Sequence, residues 1–122
     1  MKARTQAPDG LFDTLANELV VPKKSGFYIT KSEIIALANL TEGSLRVNER
    51  RRMLADVLKS PDNTKDLHNV VQHIIDLVRL QRDRYVALSA DHPSLAPTLA
   101  EWIKRASATI EKLHTMQFEL ED

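Results

Sequence analysis

The chain has no cysteine and only three glycines among its 122 residues. Without thiols, disulfides, thiol catalysis and thiolate metal sites are all excluded. The glycines stand at positions 10, 26 and 43. Neither a phosphate-binding loop nor a dinucleotide-binding loop can be written from that spacing, and no Gly-x-Ser-x-Gly elbow occurs. No run of about 18 apolar residues exists, so no membrane span is expected. The start, Met1-Lys2-Ala3-Arg4, leads into the polar stretch Thr5–Gly10. It does not read as a secretion signal, and the expected location is cytoplasmic. Formal net charge is zero, which argues against a dedicated polyanion binder. The halves differ, with ten Lys/Arg against seven Asp/Glu in residues 1–60 and the reverse in residues 61–122. An anionic partner would therefore meet the first half.

What is abundant is Leu, Ala, Glu, Lys and Arg, the residues that favour helix over sheet. Asp9 can cap a short helix over about residues 10–21, with Leu11, Phe12, Leu15 and Leu19 on one face. Pro22 ends it, Lys23-Lys24-Ser25-Gly26 reads as a turn, and Phe27-Tyr28-Ile29 is extended over a core edge. Thr30-Lys31-Ser32-Glu33 is a capping box and starts the next helix. Leu37, Leu40, Val47, Leu54 and Leu58 keep a seam suggesting one helix to about Lys59. Against this, Asn39, Thr41, Gly43 and Ser44 favour a break at 39–43.

Ser60-Pro61-Asp62-Asn63 stops the chain cleanly. A long helix then spans about 64–89, with a seam of Leu67, Val71, Ile74, Val78, Gln81, Tyr85 and Leu88. Arg79 and Asp83 are expected to pair at (i, i+4) on its polar side. After the turn at Ala90-Asp91-His92-Pro93, a last helix over about 94–121 carries Leu95, Leu99, Trp102, Ala106, Thr109, Leu113, Met116 and Leu120. Two long helices joined by a short turn make an antiparallel hairpin. The expected fold is therefore all-α. Three long helices at about 31–59, 64–89 and 94–121 form a single bundle domain over 30–122. A short helix at about 10–21 lies in an N-terminal arm of residues 1–29.

Chemistry is sparse. His68 and His73 lie about 140° apart around a helix, not stacked as metal ligands are. Glu111 and His114 match one Glu-x-x-His element, but a carboxylate-bridged metal pair needs two such elements and two further glutamates. No carboxylate pair sits on an apolar helix face, where desolvation raises a pKa for acid catalysis. No catalytic residue, metal site or cofactor is expected. The wide apolar stripe of Val70, Val71, Ile74, Ile75, Leu77 and Val78 exceeds what one neighbour covers, and is expected to serve as an interaction or dimer face. The leading expectation is a non-enzymatic helical-bundle interaction module, with a second copy of the chain as its partner.

Residues 26–45 carry a further signal. Gly26, Phe27 and Thr30 precede a helix, and Ala38, Asn39, Leu40, Thr41, Gly43, Ser44 and Leu45 follow it. The stretch resembles the helix-turn-helix of tetracycline-repressor-type regulators. In that family a Gly-aromatic-x-x-Thr stretch leads into the first helix and an Ala-Gly-Val-Ser-x-Gly-Thr-Leu turn opens the recognition helix. Asn39 departs from the family glycine, and Arg46 stands where the family has an aromatic residue. The resemblance implies a DNA-binding alternative: Thr41, Ser44, Arg46 and Asn48 toward the major groove, Arg50, Arg51 and Arg52 on phosphates, and a C-terminal dimerisation hairpin.

Overall fold

A computed structural model describes residues 9–40 and 48–120, apart from the side chains of residues 9 and 120. Among these residues every regular element is helical, so the chain is all-α. The order is α1 (Asp9–Leu19), α2 (Pro22–Ser25), α3 (Lys31–Ala38), α4 (Arg50–Lys59), α5 (Thr64–Asp91), a 3₁₀ turn (Pro93–Leu95) and α6 (Ala96–Leu120). No described helix is long and apolar enough to cross a membrane.

The α5–α6 hairpin is the frame. Asn63 caps α5 by accepting from the Asp66 amide at 2.8 Å, and the helix then runs 28 residues, roughly 42 Å. Its polar side differs from expectation. Arg79 approaches Asp76 at 3.8 Å, one turn toward the N-terminus, while Asp83 lies near Arg82. The surrounding charges are exposed, so neither pair contributes much.

The anticipated helix over 31–59 does not exist. α3 stops at Ala38, and Asn39 and Leu40 form a turn. Glu49 is extended (φ −62°, ψ 146°) immediately before α4. The expected break therefore holds where Asn39 and Leu40 are described, and its remainder, residues 41–43, lies outside the described residues. The up-down-up bundle of three equal helices is replaced by a long hairpin with four short helices packed against its base.

The local causes are readable. In the capping box, the Thr30 hydroxyl accepts from the Glu33 amide at 3.1 Å, and the Glu33 carboxylate accepts from the Thr30 amide at 2.8 Å. α1 buries Phe12, Leu15, Ala16 and Leu19, but Leu11 faces solvent. Pro22 does not lead into an open turn. It occupies the first turn of α2, where its missing N–H costs nothing, and Gly26 closes that turn in the left-handed region at φ 78°. Phe27 and Ile29 are fully buried while Tyr28 between them is exposed, the alternation of extended backbone. Gln81 explains its place in an apolar seam. Its side-chain oxygen accepts from the Tyr28 amide at 2.9 Å, and its side-chain nitrogen donates to the Tyr28 carbonyl. One glutamine thereby satisfies both backbone groups of a residue that has no neighbouring strand.

Candidate functional site

The stripe expected to meet a partner is consumed inside the monomer. Val70, Val71, Ile74, Ile75 and Val78 are all 0% exposed and belong to one core with Phe27, Ile34, Leu37, Leu54 and Leu58. Leu77 is partly buried against the same core. The N-terminal helices are the cover that this stripe required, so these six residues form no dimer face. The cover comes partly from Phe27, in the segment expected to be an arm, and partly from α3 and α4, in the segment expected to lie beside α5 in the bundle.

The DNA-reading set is also divided. Thr41, Ser44 and Arg46 lie outside the described residues. Asn48 is exposed and not helical, and its side-chain oxygen accepts from the Glu49 amide at 2.8 Å. Arg50 is turned inward. Its guanidinium donates to the Ile29 carbonyl at 2.9 Å and to the Val20 carbonyl at 3.2 Å, and lies 4.2 Å from the centre of the Tyr28 ring. A guanidinium used this way is a clamp between α4 and the chain preceding α3, not a phosphate contact. Arg52 is exposed and Arg51 half-buried, on a helix whose Met53, Leu54, Ala55, Val57 and Leu58 are core.

The histidine and glutamine groups also serve packing. Gln117, 5% exposed on α6, donates to the Gln72 side chain at 3.0 Å and to the His68 carbonyl at 3.3 Å. Its oxygen accepts from His114 Nδ1 at 3.2 Å, and Arg79 approaches His114 Nε2 at 3.5 Å. These contacts select the Nδ1-protonated tautomer and join α5 to α6. Among the described residues no group of three His, Asp or Glu side chains converges as metal ligands do.

Two surfaces remain. One is a groove of about 400 Å³ between α1 and α6, lined by Leu11, Leu15 and Met116 with Thr14, Thr115 and Glu119 at its margins. The Glu18–Lys112 ion pair bridges it. The other is the far end of the hairpin. α5 has no buried residue beyond Val78, and α6 has only Leu99 before Ala106. Leu80 is 51% exposed, Leu88 40% and Leu95 45%. Tyr85 and Trp102 meet with ring centres 6.4 Å apart at 52°, and Arg105 lies 5.4 Å over the Trp102 ring. Burial there raises the Tyr85 phenol above its ordinary value. The contacts to Tyr28 at Gln81 and to Gly26 at Ala106 mark the level where the N-terminal helices end their cover. Compared with known proteins, the chain matches no family, no curated protein and no solved structure.

Sequence reasoning placed Tyr85, Leu88, Leu95 and Trp102 on apolar seams but missed that they stand outside the core. Periodicity shows which residues share a face. It does not show how far along that face a neighbour extends.

Proposed function

We propose that this chain is a helical protein-interaction module that works without catalysis, and that its working surface is the uncovered end of the α5–α6 hairpin. One observation carries the reading. The apolar seam buried between Leu67 and Val78 continues through Tyr85 and Leu88 after its cover has ended. Large exposed apolar side chains grouped in this way mark interaction surfaces more often than single ones do. A second helix laid along the end of a helical pair completes the packing that this seam begins.

Position-specific photo-cross-linking tests the reading. A photoreactive side chain is placed at Leu88, and, as a control on the same helix, at the exposed Lys65. The expected outcome is an adduct from position 88, in the purified chain or in cells, and none from position 65. Equal adducts from both positions, or none from 88, would contradict the assignment. The break between α3 and α4 keeps a DNA-binding reading in view, resting on Arg51 and Arg52. Salt-dependent duplex binding that disappears in Arg51→Ala/Arg52→Ala would favour it instead.

A further inference from the structure

We propose that the cleft between α1 and α6 binds a fatty-acid-type carboxylate amphiphile, its head between Lys24 and Lys112 and its tail toward Leu11. This site is separate from the hairpin end and stands or falls independently of it. The groove at Leu11 and Met116 is one half of a longer cleft. A second hollow of about 150 Å³ lies on the other side of the Glu18–Lys112 ion pair, and Leu15, Glu18 and Lys112 wall both. The cleft follows α6 from Ala108 to Glu119, roughly 17 Å by helical rise. Leu11 stands one turn before the buried Leu15 on the same face of α1, yet it is exposed. The apolar stripe of α1 therefore runs past the core and into the groove.

The two halves differ in charge, and the difference fixes the chemistry and the direction of the ligand. The smaller hollow sets the ammonium groups of Lys24 and Lys112 against the single carboxylate of Glu18. Among the described residues Lys24 makes no ion pair, so one positive charge there is unopposed. The hydroxyls beside it are already committed. Ser25 donates to the Leu19 carbonyl at 3.1 Å, and Thr109 donates to the Ser25 carbonyl at 2.7 Å. Holding a head group therefore falls to the ammonium groups, which act as point charges. A single carboxylate supplies the one negative charge that this hollow lacks. A multiply charged head would find no third cation in the lining, and Glu18 would repel it. The larger groove reverses the balance, with Glu18 and Glu119 against Lys112 alone. An anionic head is repelled from that end, while an alkyl tail covers Leu11, Leu15 and Met116 and removes them from water. The groove's volume of about 400 Å³ falls in the range of small-ligand sites.

The test is calorimetric titration of the full chain with decanoate, and with decyltrimethylammonium as the same tail on a cationic head. Decanoate should bind one per chain, with a Kd on the order of 0.1 mM, and should raise the melting temperature. The cationic amphiphile should bind about tenfold more weakly or worse. Octanoate should bind several-fold more weakly than decanoate, because fewer methylenes leave water. Lys24→Gln should weaken decanoate binding about fivefold, and Leu11→Asp about tenfold. Both positions are exposed, and circular dichroism of the unliganded variants checks that the helices persist. Glu18→Gln should tighten binding about threefold, since it frees Lys112 and removes a repelling carboxylate. Weaker binding by Glu18→Gln overturns the placement of the head. The proposal as a whole is overturned by an absence of saturable decanoate binding up to several millimolar, or by equal binding of the two head groups. Wild-type affinity in both Lys24→Gln and Leu11→Asp overturns it as well.

Discussion

Gly26→Ala is expected to destabilise the fold by about 3 kcal/mol or more. Two independent causes add. Gly26 has φ 78°, where an L side chain meets its own carbonyl, at a cost of roughly 1–2 kcal/mol. A Cβ built there also falls 2.3 Å from the Ala106 nitrogen and 2.8 Å from the Arg105 carbonyl carbon. These are backbone atoms of α6, which cannot move aside as a flexible side chain can. The second cost is therefore displacement of α2 from the hairpin, together with the bond from the Thr109 hydroxyl to the Ser25 carbonyl at 2.7 Å. Urea denaturation of the variant measures the sum. Ala106→Gly in the same background should give no rescue, because removing that methyl leaves the clashing backbone in place. A loss below about 1 kcal/mol would mean that α2 and α6 are not so close.

Arg50→Met is expected to cost about 2–3 kcal/mol by the same measurement. The substitution keeps the length of the apolar stem but leaves the Val20 and Ile29 carbonyls without the guanidinium. Both residues are buried, so water replaces the lost donors poorly. Arg50→Lys should fall between the wild type and Met, because one ammonium does not reproduce a planar fork that spans two carbonyls. Tyr28→Ala should cost less, about 0.5–1 kcal/mol, since the ring contributes a partly exposed cation–π contact. The acceptors are neutral, so the loss should change little between low and high salt, unlike a surface ion pair. A phosphate-binding arginine behaves in the opposite manner. Its replacement leaves stability unchanged or raises it, and an Arg50→Met variant as stable as wild type would return Arg50 to that role.

These two residues show what the sequence held and what it did not. The hairpin over α5 and α6 was legible because each stripe repeats at helical spacing for about six to seven turns and the connecting turn is short. The capping box at Thr30 and Glu33 was legible because both partners lie within three residues. The turn after α3 was signalled by Asn39, a residue that favours caps over helix interiors. Arg50 was not legible. Its acceptors lie 21 and 30 residues away in sequence, and nothing in a run of three arginines distinguishes the one that turns inward. The role of Gly26 was half legible: a turn glycine was expected, but not its backbone contact with α6. The stripe at 70–78 calls for several neighbours; residues 31–59 were expected beside it, but α1 and the stretch at Phe27–Ile29 were expected in a separate arm, so a dimer partner was expected where that part of the covering layer packs. The bare seam beyond Gln81 followed only once the extent of that layer was known.

The claim on which the functional reading depends is that α5 has two regimes, covered up to Gln81 and bare beyond it until a second helix arrives. Amide hydrogen exchange of the unmodified chain reports both regimes directly. Protection at residues 67–78 should be high, while protection at residues 84–91 should be clearly lower. Uniform protection along the whole of α5 would contradict the account.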